Sequence, residues 1–144
     1  MAANRDTDKT DTVAVELRLD RIPRLYNSLD PAPFHEKELE AAADDYIVLK
    51  PKHSAFFATP LETLLLHLHT KTIILVGLTT DACILTTACE IHIRDINLYV
   101  PSDCVAASST KHHKMALELM KKSFGAHTGA SRQLNLKRIL SSGD

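Results

Sequence analysis

The sequence predicts an α/β protein: a three-layer α/β/α arrangement around a parallel sheet. Three observations carry this prediction. Short apolar runs suited to buried strands recur along the chain, at Tyr46–Leu49 (YIVL), Thr72–Val76 (TIILV) and Asn97–Val100 (NLYV). Stretches with helical apolar spacing and recognisable ends separate them. Strands alternating with helices in this order require parallel pairing through right-handed crossovers.

Taken from the amino terminus, residues 1–12 are polar and charged and are expected to be a disordered tail. In Thr12–Leu19 the apolar residues Val13, Val15, Leu17 and Leu19 alternate with Ala14, Glu16 and Arg18, the period of a strand with one buried face. Pro23, Pro31 and Pro33 then break any long element, and strong helix formers make His35–Ala43 helical. Tyr46–Leu49 is expected to be a strand buried on both faces. Pro60–Thr70 reads as a helix, with Thr59 as cap, Pro60 in the first turn, Glu62 on the positive end of the dipole and a stripe of Leu61, Leu64, Leu65 and Leu68. A strand at Thr72–Val76 ends at Gly77. Thr80–Arg94 is a second helix with Ile84, Leu85, Ala88 and Ile91 on one side. The strand Asn97–Val100 precedes Pro101. Lys111–Phe124 is a third helix, with Met115, Leu119 and Met120 turned inward and Gly125 as its stop. A last helix covers Gln133–Leu140, and the terminal SSGD frays.

The 144 residues (15.9 kDa) suit a single domain over 13–144, with no linker that would divide it. A hydrophobic fraction of 44% and a charged fraction of 24% leave enough apolar material for a real core. Seventeen Lys and Arg against eighteen Asp and Glu give a formal charge of −1, so no basic surplus favours nucleic acid. No apolar run is long enough to cross a bilayer, and the start MAANRDTDKTDT lacks the apolar segment of a signal peptide. Three cysteines, an odd number, argue against a disulfide framework and for reduced thiols in the cytoplasm.

In an open parallel sheet, ligands bind beyond the carboxyl ends of the strands. The segments leaving those ends are KPKHSAFF from Lys50, GLTTDAC from Gly77 to Cys83, and PSDCVAA from Pro101 to Ala107. Lys50 and Cys83 thus emerge at the same edge, expected from neighbouring strands. If Thr80 caps its helix, Cys83 lies in the first turn, where unpaired N–H groups and the dipole stabilise a thiolate. A free cysteine there can equally be a small buried hydrophobe, and that reading is preferred for Cys89 and Cys104. Lys50 read alone could be a surface residue, and Lys52 competes with it. His67 and His69 diverge on a helix, as do His112 and His113; no metal-binding spacing accompanies them, so no metal site is expected and solvated histidines are. Phosphate-loop and GxSxG patterns are absent.

Together, KPKHSAFF, GLTTDAC with the following Thr87-Ala88, and PSDCVAA resemble the isochorismatase-like cysteine hydrolase superfamily, relatives of nicotinamidases and N-carbamoyl amidohydrolases, over about 44–128. The resemblance implies a Rossmann-like sheet with an Asp–Lys–Cys triad: Cys83 the nucleophile, Lys50 rather than Lys52 its partner. It further implies a cis peptide at Leu78–Thr79 and an oxyanion hole from the Thr79 and Cys83 backbone N–H groups. The implied activity is hydrolysis of amide or carbamoyl C–N bonds of a small molecule through a Cys83 thioester, without a cofactor. A homo-oligomer is expected. The family aspartate ends a first strand in a segment this chain lacks; Asp20 is the nearest analogue, whereas Asp44 and Asp45 precede their strand. The chain therefore reads as truncated or rearranged at the amino terminus, and the alternative is a catalytically impaired relative acting as an oligomeric or interaction module. A redox-sensing thiol is a weaker third reading.

Overall fold

The structure, a computed structural model, describes residues 2–4, 12–17 and 45–141. The expected helix over 35–43, Asp20 and Asp44 lie outside the described residues. The elements are β1 (Ala2–Asn4), β2 (Thr12–Leu17), β3 (Tyr46–Ile47), α1 (Leu61–His67), β4 (Thr72–Leu78), a π-helical turn at Thr80–Ile84 running into α2 (Leu85–Ile93), β5 (Asn97–Tyr99), β6 (Val105–Ala106), α3 (Thr110–Ser123) and α4 (Leu136–Ser141). Among the described residues no helix is long and apolar enough to cross a membrane.

The sheet runs β3-β1-β2-β4-β5, with β6 also on β4. β4 is its axis. It pairs in parallel with β2 along six residues, from Thr12 opposite Thr72 to Leu17 opposite Gly77. On its other side it pairs in parallel first with β5 and then, past a break at Pro101, with β6. β1 is antiparallel to both β2 and β3, so β3 points the same way as β4. The α/β architecture is as expected, but two details of the sheet differ. Ala2–Asn4, inside the stretch read as a disordered tail, is a paired strand. Consequently β3 and β4 are not neighbours: β1 and β2 lie between them, because β2 takes the full ladder along β4.

The core gathers Leu61 and Leu65 of α1, Ile73 and Leu75 of β4, Ile84, Ala88 and Ile91 of the turn and α2, and Met120 of α3. Burying each Leu or Ile contributes about 1.5–3 kcal/mol. The α1 and α2 stripes fall where the periodicity placed them. The third helix does not: Met120 is fully buried, but Met115 is 58% exposed and Leu119 is exposed as well. Ala116 faces inward instead, and its small side chain lets α3 come close to the π-helical turn. The Tyr46–Leu49 run is also corrected. Only Val48 is buried, while Leu49 is 79% exposed, since alternate residues of an extended chain face opposite ways. β6, within the PSDCVAA segment that leaves the third strand, is two residues long, held where the Gly77 N–H donates to the Cys104 carbonyl at 3.0 Å.

β4 does not stop at Gly77 but continues to Leu78. Gly77 has φ 120°, a conformation side chains rarely adopt, which lets the strand bend into the following turn. Gly125, at φ 67°, ends α3 as expected, with the Ala126 N–H returning to the Met120 carbonyl.

Candidate active site

The turn after β4 is built before any helix begins. Thr79, in extended conformation, is the cap, rather than Thr80. Its carbonyl accepts from the N–H groups of Ala82 (3.2 Å) and Ile84 (3.1 Å), passing over Cys83 between them. The Leu78–Thr79 peptide is cis, at the expected bond. Cys83 therefore sits in the first turn of a helical segment at the carboxyl end of β4, 8% exposed, between the fully buried Thr80 and Ile84.

Lys50 reaches it from elsewhere. Its Nζ donates to the Cys83 Sγ at 3.4 Å. Because β3 is not beside β4, this contact is made through the segment that follows β3. That segment has no regular helix or strand from Val48 to Pro60, yet Ser54, Ala55 and Phe56 are buried. Ala55 is fixed at both backbone groups: its N–H donates to the Thr87 Oγ1 of α2 at 3.0 Å, and its carbonyl accepts from the Thr59 hydroxyl. The Thr59 hydroxyl also accepts from the Leu61 N–H at 3.3 Å, but the N-cap of α1 is Pro60, so Pro60 stands at the cap expected of Thr59 and not inside the first turn. Lys52 points away from the thiol contact and lies over the Phe57 ring, 5.6 Å from its centroid.

Three side-chain contacts around the turn escaped sequence reasoning. The Thr80 hydroxyl meets His113 Nδ1 at 2.9 Å, and Asp81 Oδ2 pairs with His112 Nδ1 at 3.5 Å. The adjacent histidines, read as solvated, thus both grip the cysteine turn from the first residues of α3, whose own N-cap is Ser109, accepting from the His112 N–H at 3.4 Å. Thr87 is the third; its place in the quoted TTAC run, four residues beyond Cys83, was the available signal. The two histidines carry no such signal, being about thirty residues from their partners.

The remaining thiols are free. Cys89 is half-buried, but Cys104 is exposed rather than a buried hydrophobe. Partial desolvation, then the Asp103 carboxylate, pushes its thiol up from the ordinary range. Asp103 itself is held below the usual carboxylate range by the Ser131 N–H (2.7 Å) and hydroxyl (2.8 Å). Asp45 stands at the amino end of β3, the edge away from Lys50.

A lysine and a thiol meet where a parallel strand turns into a helix, at the carboxyl-end edge of an α/β domain, the edge at which such sheets bind ligands. The chain belongs to the isochorismatase family, whose domain model matches residues 28–132. It is 37% identical over 90 residues to the uncharacterized isochorismatase family protein YaaI of Bacillus subtilis, covering 62% of this chain and 50% of that protein. Among solved structures it is similar to the nicotinamidase SaPncA of Staphylococcus aureus (34% identity, TM-score 0.56, 57% of this chain and 50% of that one). Its fold also resembles the N-carbamoylsarcosine amidase of Thermoplasma acidophilum, at 24% identity and TM-score 0.63 over 86% of this chain and 72% of that one. The chain thus spans about half the length of the first two.

Proposed function

We propose that this chain hydrolyses an amide or carbamoyl C–N bond of a small molecule, with Cys83 as nucleophile and Lys50 as its cationic partner. The observation that carries the reading is the 3.4 Å contact between Lys50 Nζ and Cys83 Sγ at the end of β4. Membership of the isochorismatase family and the likeness to a nicotinamidase support it.

In this mechanism the sulfur attacks the carbonyl carbon, and the ammonium of Lys50 stabilises the thiolate that does so. The Thr79 and Cys83 N–H groups serve as donors to the oxyanion, in keeping with an Ala82 and Ile84 pair that takes up the Thr79 carbonyl and passes over Cys83. Collapse breaks the C–N bond and releases the amine; water then cleaves the thioester to the acid. A carboxylate must take the thiol proton and give it to the leaving nitrogen. Asp20, the nearest analogue of the family aspartate, is the candidate for that role and lies outside the described residues. β2 ends at Leu17, opposite Gly77, at the same sheet edge as Cys83.

The test is ammonia release from a panel of small primary amides and N-carbamoyl compounds. Release is expected from the native chain and not from Cys83→Ser. Lys50→Ala and Asp20→Asn are each expected to reduce it by about a hundredfold or more. A native chain that releases nothing, or a serine variant that still does, makes the reading wrong.

A further inference from the structure

Nothing in the sheet ladder holds Lys50 against Cys83, since two strands separate the strand before Lys50 from β4. What joins the two segments is the hydrogen bond from the Ala55 N–H to the Thr87 hydroxyl, with both residues fully buried. Thr87 follows Cys83 by four residues, about one helical turn, so the two lie on the same side of their helix. Ala55 follows Lys50 by five residues, and its carbonyl is tied to Thr59. The bond is therefore a short bracket whose two arms end at the ammonium and the sulfur.

We propose that Thr87 is the positioning residue that sets the Lys50–Cys83 contact, a role that rests on Cys83 being the nucleophile. The bracket fixes where the lysine segment crosses the helix. A second contact, the Arg94 guanidinium over the Phe56 ring at 4.2 Å, keeps the segment docked further along the same helix. Loss of the Thr87 hydroxyl thus leaves the loop attached but no longer registered at the thiol. Thr87→Val keeps shape and volume and removes the acceptor; Thr87→Ser keeps the acceptor.

The measurement is the iodoacetamide labelling rate of each cysteine in the full chain, read by mass spectrometry, with exposed Cys104 as the reference in the same sample and circular dichroism to show folding. Thr87→Val is expected to slow Cys83 by about tenfold relative to Cys104, and Thr87→Ser to regain most of the rate. Lys50→Ala is expected to slow Cys83 similarly, and Lys50→Ala with Thr87→Val to be no slower than Lys50→Ala alone, because Thr87 acts through the lysine. Should the valine variant not fold, Thr87→Ala takes its place in the same series. A folded Thr87 variant that labels Cys83 at the native rate, or a double variant whose losses multiply, overturns the proposal while leaving Cys83 as nucleophile. If Cys83 of the native chain labels no faster than Cys104, the nucleophile reading falls first and this role with it.

Discussion

The two segments that meet at the Cys83 sulfur are built in opposite ways. The cysteine turn is packed into the fold: Thr80, Ile84, Thr87 and Ala88 are fully buried, β4 feeds it, and α3 grips it through His112 and His113. The lysine segment is a loop with exposed residues on either side of the buried Ser54–Phe56, and its position depends on a few hydrogen bonds. One partner is thus placed by the fold, the other by tethers. A mutation on the cysteine side, the Thr87 hydroxyl that anchors the tether excepted, should register first as lost stability. One on the lysine side should register first as lost geometry.

The sharpest way to break that contrast is Gly77→Ala. At φ 120° a Cβ is strained whatever the space around it, and the Gly77 N–H must keep its bond to the Cys104 carbonyl. The expected loss is about 2–3 kcal/mol, read as a shift of the urea midpoint with the slope unchanged. If Gly77→Ala unfolds at the native midpoint, the cysteine turn does not depend on the bend in β4.

The same contrast explains what was legible beforehand. Cys83 could be found because strand, turn and helix each leave a local pattern, and TIILVGLTTDAC runs through all three. Lys50 was singled out by its motif, but the reason offered for its nearness, adjacent strands, fails: β1 and β2 intervene, and a loop makes the contact. Long-range hydrogen bonds such as Thr87 to Ala55 have no periodic trace. Nor does the inward face of α3, where Met115 and Leu119 fit an apolar stripe yet face solvent, because Ala116 is what the close approach to the turn requires. Two-residue strands such as β6 fall below any pattern and exist because β4 offers unpaired backbone groups beyond Pro101.

A smaller effect separates the grip of α3 from the core beneath it. Thr80→Val removes the hydroxyl that meets His113 Nδ1 and keeps the buried volume. Half-buried His113 loses a partner but keeps access to water, so the expected cost is about 1 kcal/mol. It should appear equally in Thr80→Val, in His113→Phe and in the double variant, since the pair is one contact. Additive losses in thermal denaturation would show that the two residues act separately and that α3 holds the turn by packing alone.

The smallest effect lies at the far end of the cysteine helix. After Arg94 caps α2, Asp95 adopts φ 55°, the left-handed conformation in which a helix commonly ends and which glycine occupies without steric cost. Asp95 is exposed, and its N–H donates to the His92 carbonyl, a bond that glycine retains. Asp95→Gly relieves the Cβ strain at the expense of a more flexible unfolded chain, for a net stabilisation of about 0.5–1 kcal/mol. The melting temperature should rise by a few degrees, about what this increment gives in a domain of this size. Cys83 labelling should not change, because Asp95 is more than two turns from the thiol and its replacement leaves both the Thr87 hydrogen bond and the Arg94 contact with Phe56 in place. A rise in stability accompanied by a change in labelling would mean that the whole helix, and not only its first turn, sets the position of the sulfur.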